Sequence, residues 1–507
     1  MDRADLVMIN GAEPEVLDPA LVTAQATGRI AYALLEGLTS FDSDAKPVPA
    51  VADHWEISPD GLHYTFHLRR EARWSNGDPV VSGDFLYSWR RTLLPETASE
   101  YSSQLYYLRN AKPFNEGKLK DFSEVGVRAP DDYTLEVTLE NPTAYFLDLC
   151  AFMTLLPVHP ATVERYADWA SKPEHFMGNG AYLLEEWRPF DRVRMVKNPR
   201  YWNAGAVALE SIDVLPSAKP NTAFNFYATG LADLMMDKGL APTSLMNELK
   251  KRPDFHAGRF LGNYFIRFNL THKPFNDARV RLALSLVIDK QLITDKITRA
   301  GEEPADSLTP PGAGAGYQPP PGLKLDPERA RKLLAEAGFP GGRSFPIFYY
   351  LYKGDSDLDR DIAVELQGMY ARELGIHMQL QAQEWTAYLD SQSRLDYDLC
   401  RSSWVADYND PNTFLNMFVT DDGNNRTGWS DKKYDGLIAD AARQVDLAHR
   451  YEIFREAEHL LISEAAPICP LYYYVGIQFY DGSRLAGIEP NLLDEHPLKL
   501  IHWIGAK

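Results

Sequence analysis

The sequence has little cysteine, with three residues in 507, at positions 150, 400 and 469. None of them has the CxxC spacing of zinc or redox motifs, which argues against a structural zinc site and a thiol redox centre. The odd count leaves at least one free thiol. A Cys400–Cys469 disulfide stays open on spacing alone, and we expect all three residues to be small buried hydrophobic side chains.

Positive charge and long apolar runs are also scarce. The chain has 52 Lys and Arg against 71 Asp and Glu, a net charge of −19, which argues against nucleic acid or an anionic membrane as partner. Residues 150–158 form one of the longest apolar runs, and a membrane helix needs about 20 residues. The N-terminus, MDRADLVMING, lacks the apolar segment of a signal peptide and by itself predicts a cytoplasmic protein.

The length and the patterning predict a multidomain α/β protein. A chain of 507 residues exceeds one hydrophobic core and suggests two to four domains. Period-two strands at 62–68 and 133–139 flank a predicted helix over 82–93, so residues 46–171 are predicted to form a small α+β domain. Strands over 345–352 and 378–383 around a helix over 362–374 predict a parallel sheet, and such sheets bind ligands at the carboxyl ends of their strands.

The stretch from Tyr397 to Asn416, YDLCRSSWVADYNDPNTFLN, contains the strongest candidate binding residue. Its first half alternates as a strand, and Asn-Asp-Pro at 409–411 ends the extended segment. Asp407 therefore lies where a strand ends and a loop begins, with Arg401 six residues upstream. An anion and a cation on one extended segment could hold a ligand that is charged at both ends. Spacing alone favours the simpler alternative, in which Asp407 caps the turn and Arg401 forms a surface ion pair.

Two further patterns argue against metal and cofactor sites. Asp355, Asp357 and Asp359 start like an EF-hand loop, but Arg360 and Leu366 stand where that loop needs Gly and Glu. The segment is therefore predicted to be a solvated acidic loop. The glycines at 312–316 lie in a Pro-rich stretch, 308–325, that predicts a surface loop and not a dinucleotide site. We expect no metal and no cofactor.

Catalytic motifs are equally sparse. The chain has no GxSxG and no HExxH. A secreted hydrolase built on Ser356 with Asp494 and His496 is disfavoured, because an acidic loop around the serine would oppose a developing oxyanion. No catalytic residue is predicted.

Motifs along nearly the whole chain carry a resemblance. The segment WVADYNDPNTFLN at 404–416 resembles the signature of the periplasmic oligopeptide-binding proteins of ABC importers, the family of dipeptide and oligopeptide solute-binding proteins. The other matching motifs follow in family order. They are LDPA (17–20), LLEGL (34–38), YTFHLRREARWSNGDPV (64–80), DFLYSWRR (84–91), NGAYLLEEW (179–187), NPRYWN (198–203), KPFNDARVRLALSLVIDK (273–290), ARKLLAEAGF (330–339), QEW (383–385) and PLYYYV (470–475).

The resemblance implies an α/β, two-lobed periplasmic-binding-protein fold with an extra small α+β domain and a hinge between the lobes. Its parts would be a discontinuous lobe I (1–45, 172–260 and 476–507), domain II (46–171) and lobe III (261–475), which carries the anchor aspartate. It also implies a non-enzymatic monomer that captures oligopeptides between the lobes and delivers them to ABC permease subunits. The location implied is periplasmic or otherwise extracytoplasmic, with the signal peptide removed, an initiator Met in its place and a lipid anchor left open.

Site residues follow from the same resemblance. Asp407 would bind the peptide α-ammonium, because a partly buried carboxylate needs a cation. Arg401 matches an arginine that can meet the peptide carboxylate. Two segments would pair with the peptide backbone, which gives affinity without reading side chains. These segments are Ser403, Trp404 and Val405 on one side and Thr23, Ala24 and Gln25 on the other. Further residues match positions that line the site, with core packing as the alternative for the aromatic ones: Tyr101, Trp385, Asn424 and Tyr474.

The chain also departs from the family pattern. Asp359 replaces a histidine that the family can use near the peptide carboxylate, and its charge would favour a cationic residue or a longer ligand. Val405 and Gly262 stand where the family has a cysteine pair, so the family disulfide is absent. Peptide length is therefore not implied. A murein peptide, an opine, an oligosaccharide or a scaffold role in the same groove stays an alternative.

Overall fold

The computed structural model describes residues 3–314 and 316–505, and its chain divides into two units. Unit 1 comprises the residues up to Pro242, Leu249–Gly258 and the residues from Gly476 onward. Unit 2 comprises Thr243–Glu248 and Arg259–Val475. Three elements pass from one unit to the other: the strands Phe255–Phe268 and Ile468–Tyr480 and the short helix Met246–Leu249. The predicted three-part division stays a prediction.

Unit 1 is built on a mixed sheet around its first strand. Leu6–Ile9 is entirely buried and pairs in parallel with Ser211–Leu215 and with Leu234–Met236, which explains the uninterrupted apolar sequence LVMI. The hairpin Tyr182–Arg188 and Arg192–Lys197 continues the sheet in antiparallel fashion. The helices of this unit are Gln25–Leu34, Ser82–Leu93, Ala111–Asn115, Phe146–Ala151, Pro160–Arg165 and Pro220–Ala228.

A separate antiparallel sheet of four strands lies within unit 1. Its strands follow the order Ala52–Ile57, His63–Leu68, Thr134–Thr138 and Val127–Asp131. Tyr64, Phe66 and Leu68 are buried while their neighbours keep some exposure, as the period-two pattern predicts. The other short strands of unit 1 are Thr39–Phe41, Pro47–Pro49, Leu485–Ala486 and His502–Trp503.

Unit 2 contains the predicted parallel strands. Met378–Gln383 pairs in parallel with Phe348–Lys353, which pairs in parallel with Leu399–Val405. The far edge of Leu399–Val405 pairs antiparallel with residues 262–268 of the long strand. The remaining short strand, Glu303–Pro304, pairs with residues 472–473. The helices of unit 2 are Ala278–Leu286, Lys290–Ile293, Pro327–Glu336, Asp357–Leu374, Trp385–Ser393, Asn412–Leu415, Lys432–Ala442 and Leu447–His459.

Several helix boundaries in unit 2 follow from local sequence. Asp326 caps the helix Pro327–Glu336 by accepting a hydrogen bond from the Arg329 amide, and Gly338 follows its end with φ +101°. One large apolar core lies between the sheet and the helices Ala278–Leu286 and Asp357–Leu374. The mixed α/β class predicted from the sequence is confirmed.

Two predictions about loops in unit 2 were wrong. The acidic segment 355–361 is not a solvated loop, because a helix begins at Asp357 and Asp359 is only 3% exposed. The Pro-rich segment 308–325 is not confined to the surface. Buried Glu458 accepts hydrogen bonds from Ser307 Oγ at 2.8 Å, from the Thr309 amide at 2.6 Å and from Tyr317 Oη at 2.5 Å, and so ties this segment to the core.

The three cysteines are free and buried, as expected. Burial raises the pKa of the Cys400 thiol to about 12, so this side chain is a poor nucleophile. Within the described ranges, no helix combines the length and the apolarity that a bilayer crossing requires.

Candidate functional site

The strand Leu399–Val405 presents a partly open backbone edge in unit 2. One edge pairs along its whole length with residues 262–268, and the Ala406 amide extends this contact to the Leu261 carbonyl. On the other edge, the pairing with residues 350 and 351 stops at Cys400. Backbone groups alternate between the two edges of a strand. Since Ala406 points to the first edge, the amides and carbonyls of Ser403 and Val405 point to the second edge, which has no strand partner among the described residues of unit 2.

Asp407 lies directly beyond the end of this strand, as predicted, and is partly exposed. Its amide donates a hydrogen bond to Thr413 Oγ1 at 3.3 Å, which fixes its backbone. The loop that follows is held by a buried ion pair, in which Arg450 donates to Asp410 through two bonds of 2.6 and 2.8 Å. Both side chains are less than 5% exposed. The turn after the strand is therefore rigidly anchored, and so is the position of Asp407.

The side chain of Arg401 is mostly buried and forms an ion pair within the protein. Its Nε lies 3.3 Å from a carboxylate oxygen of Asp359, and the side chains of the two residues are 15% and 4% exposed. Its guanidinium also lies over the Tyr264 ring, 5.2 Å from the ring centre. Burial opposes the charge on Arg401, but Asp359 and the surrounding tyrosines raise the pKa of Arg401 above its usual value.

Gly262 and Val405 lie directly opposite each other in the two strands, at the positions where the resemblance places the missing cysteine pair. A Cβ on Gly262 would lie 2.7 Å from Cδ2 of Tyr474. The absence of a side chain at 262 therefore gives the Tyr474 ring its room. Tyr474 in turn forms a side-chain hydrogen bond with Ser403. Three of the predicted residues, Ser403, Val405 and Tyr474, thus lie together on one face of the sheet.

The other predicted residues of unit 2 surround the same strand. Trp404 points to the opposite face, where its Nε1 donates to Thr413 Oγ1 at 3.2 Å. Trp385 is 41% exposed, stacks on Tyr388 and has Lys353 Nζ 5.4 Å from its ring centre. Asn424 is half-buried, and its carbonyl accepts a bond of 2.6 Å from Arg267. Trp385 is thus the aromatic residue here with a large free surface.

Four of the predicted binding residues, Thr23, Ala24, Gln25 and Tyr101, belong to unit 1. Thr23 and Ala24 are exposed, and Ala24 is extended with φ −93° and ψ 134°. Gln25 is the first residue of the helix Gln25–Leu34, so the predicted segment 23–25 joins a loop to a helix N-terminus. Tyr101 is partly buried, with its ring 5.8 Å from that of Phe152.

The disfavoured hydrolase has no assembled site. Ser356 uses its hydroxyl to cap the helix that begins at Asp357, by accepting from the Asp359 amide. Asp494 and His496 do interact at 3.1 Å, but both are buried in unit 1, and Asp494 also binds Gln478 and Arg29. Across the described ranges, no group of three or more His, Cys, Asp or Glu side chains is arranged to hold a metal ion.

Sequence reasoning missed two buried arginines that support the site. Arg450 holds Asp410, and no local pattern connects residues 40 positions apart. Arg267 donates to Ser402 Oγ and to the carbonyls of Asn424 and Asn425, and burial lowers the pKa of its guanidinium. The only available signal was an arginine within an otherwise apolar stretch, YFIRF at 264–268, because a buried charge requires partners.

Comparisons with known proteins agree in coverage and topology. Residues 46–426 match the family described as bacterial extracellular solute-binding proteins, family 5. The periplasmic oligopeptide-binding protein OppA of Salmonella typhimurium is 36% identical over 483 residues, which are 94% of this chain and 88% of that protein. The Escherichia coli murein tripeptide binding protein MppA has a TM-score of 0.89 at 32% identity, covering 100% and 99% of the two chains. Haemophilus influenzae OppA in complex with RPPGFSPFR has a TM-score of 0.86 at 32% identity, covering 99% and 100%.

Proposed function

We propose that this chain, which belongs to the bacterial extracellular solute-binding proteins of family 5, binds an oligopeptide and delivers it to the permease of an ABC transporter. The family is one of solute-binding proteins and not of enzymes. The finer assignments, which are a periplasmic location, a monomeric state and the permease partner, are parts of the proposal. The periplasmic location is supported by the Salmonella relative, which is a periplasmic oligopeptide-binding protein.

The observation that carries the proposal is the open edge of the strand that ends before Asp407. An extended peptide can add to such an edge as a further strand, with its main chain bonded to Ser403 and Val405. Backbone pairing is independent of side chains, so it suits a receptor of mixed peptides. A carboxylate at the end of the edge then supplies the partner for the α-ammonium that every unmodified peptide carries.

The other predicted residues take supporting roles in this proposal. Tyr474 and Trp385 would contact peptide side chains, and Asn424 would border the site. Trp404 would take no direct part, since its backbone faces the edge paired with Asn263 and its side chain bonds to Thr413 on the opposite face. In unit 1, the segment Thr23, Ala24 and Gln25 and the side chain of Tyr101 stay predicted contacts that rest on the resemblance.

The test is a double-mutant cycle between Asp407 and the peptide α-ammonium. We expect Asp407→Ala to weaken binding of a free-N-terminus peptide by at least about 2 kcal/mol, about 30-fold in Kd, because one charge is left unpaired. N-acetylation of the peptide should cost the wild-type protein a similar factor and should cost Asp407→Ala little. Isothermal titration calorimetry measures all four combinations.

A control variant separates this contact from a general charge effect. Asp440→Asn also removes one carboxylate from unit 2, at an exposed pair with Arg443, and should leave the peptide affinity unchanged. Full-strength binding of free-N-terminus peptides by Asp407→Ala would refute the role of Asp407 and the peptide assignment built on it.

A murein peptide is the second candidate, because the structure of a murein tripeptide binding protein matches the whole chain. Native mass spectrometry of the purified protein, followed by denaturation and sequencing of the released ligand, distinguishes the two. Ordinary α-linked peptides support the first candidate, and peptides with diamino acids or D-residues support the second. A bound sugar or opine would contradict both.

A further inference from the structure

We propose that Asp359 is a specificity-determining residue. By pairing with Arg401 inside the protein, it lets this site bind peptides without recognising their C-terminal carboxylate. This inference rests on the proposed function and names the ligand feature that the site ignores. The resemblance presents Arg401 as a residue that can meet the peptide carboxylate, whereas in the structure Arg401 is paired with Asp359.

The Arg401–Asp359 pair is a built feature of the sheet face. Arg401 lies on the same face of its strand as Ser403 and Val405, because alternate residues share a face. Asp359 belongs to the first turn of the helix Asp357–Leu374, whose N-terminus Ser356 caps. A helix N-terminus favours a carboxylate at this position, which lies beside the guanidinium of Arg401. The guanidinium of the pair lies over the ring of Tyr264, which belongs to the apolar core of unit 2.

Charges of both signs act on the Tyr474 ring. Burial raises the pKa of Tyr474, Arg401 opposes that rise, and Asp359 and Glu302 add to it. One cation and two carboxylates therefore act on this ring. A ligand carboxylate brought to Arg401 would meet Asp359 at close range, and a buried ion pair that is already complete gains little from a third charge.

The geometry also limits the peptide lengths to be tested. Arg401 and Asp407 are six residues apart on a largely extended segment, or about 20 Å at about 3.3 Å per residue. A peptide that starts at Asp407 and follows the strand reaches Arg401 after about four to six extended residues. The C-terminus of one peptide in a short series must therefore fall beside the pair.

The experiment compares alanyl peptides of three to seven residues, each as a free acid and as a C-terminal amide, by isothermal titration calorimetry. For the wild-type protein we expect Kd values of acid and amide within about 3-fold at every length. Asp359→Asn frees the Arg401 cation, so we expect at least one length to favour the acid by about 10-fold or more. Asp357→Asn is the matched control. It removes a carboxylate from the same helical turn, but its side chain is 81% exposed, so its acid-to-amide ratio should equal that of the wild type.

Each result decides a separate question. A wild-type preference of about 10-fold for the free acid at any length overturns the role of Asp359 and leaves the proposed function standing. An unchanged ratio in a folded Asp359→Asn protein overturns it as well. Absence of binding by every acid and every amide overturns the proposed function together with this inference. The wild-type comparison needs no variant, so a preference for the free acid overturns the role of Asp359 even if Asp359→Asn does not fold.

Discussion

The buried pair of Arg450 and Asp410 gives a stringent test of how the loop after Asp407 is held. We expect Arg450→Met to destabilise unit 2 strongly, because Asp410 would keep a buried charge without its two bonds of 2.6 and 2.8 Å. Removing one partner of a buried pair costs about 3–5 kcal/mol. A unit of about 220 residues loses about 2–4 °C in Tm per kcal/mol, so the expected drop is about 6–20 °C.

The assay is thermal and urea unfolding followed by circular dichroism and tryptophan fluorescence. Peptide affinity should fall as well, because the loop that positions Asp407 loses its anchor. Arg443→Met serves as the control, since Arg443 pairs with Asp440 on the surface with about 60% of each side chain exposed. It should cost less than about 1 kcal/mol.

A double variant isolates the charge from the packing. Arg450→Met combined with Asp410→Asn removes both charges and should recover most of the stability, since neither charge then stays unpaired. A loss below about 1 kcal/mol in Arg450→Met would refute the reasoning, because it would mean that Asp410 finds water or another donor at no cost.

Two further outcomes test the packing and the charges. Gly262→Ala should lower the free energy of unfolding by about 1–3 kcal/mol and weaken peptide binding, since the new Cβ would lie 2.7 Å from the Tyr474 ring. The control Gly436→Ala, whose Cβ would meet nothing within 4 Å, should be neutral or stabilising. Equal melting temperatures of the two variants would contradict this prediction. Burial raises the pKa of Glu495 to about 8 from a usual 4.5, with Asp494 adding to the rise and Arg29 opposing it. The stability that the protonated form contributes is therefore present below pH 4.5 and is lost as the pH rises toward 8. Glu495→Gln should be more stable than the wild type by about 1 kcal/mol or more at pH 8 and no more stable at pH 4.5. Parallel curves of unfolding free energy against pH for the two proteins would refute this prediction.

Local sequence determined the features that depend on neighbouring residues. The strand ending before Asp407 follows from two-residue alternation and from Asn-Asp-Pro at 409–411, and the helix Pro327–Glu336 follows from Asp326 and Pro327 at its start. The family itself was also readable, because its motifs are continuous segments in a fixed order.

Only the tertiary structure decided how the charges are paired. The acidic run at 355–361 looks like a solvated loop, but the helix that begins at Asp357 carries Asp359 into the core, where Arg401 compensates it. Arg450 and Asp410 meet across 40 residues for the same reason. Which residue pairs with a buried charge depends on which distant strands and helices pack together. The sequence around Arg401 therefore could not show that its carboxylate partner is Asp359 of the protein itself and not the carboxylate of a bound peptide.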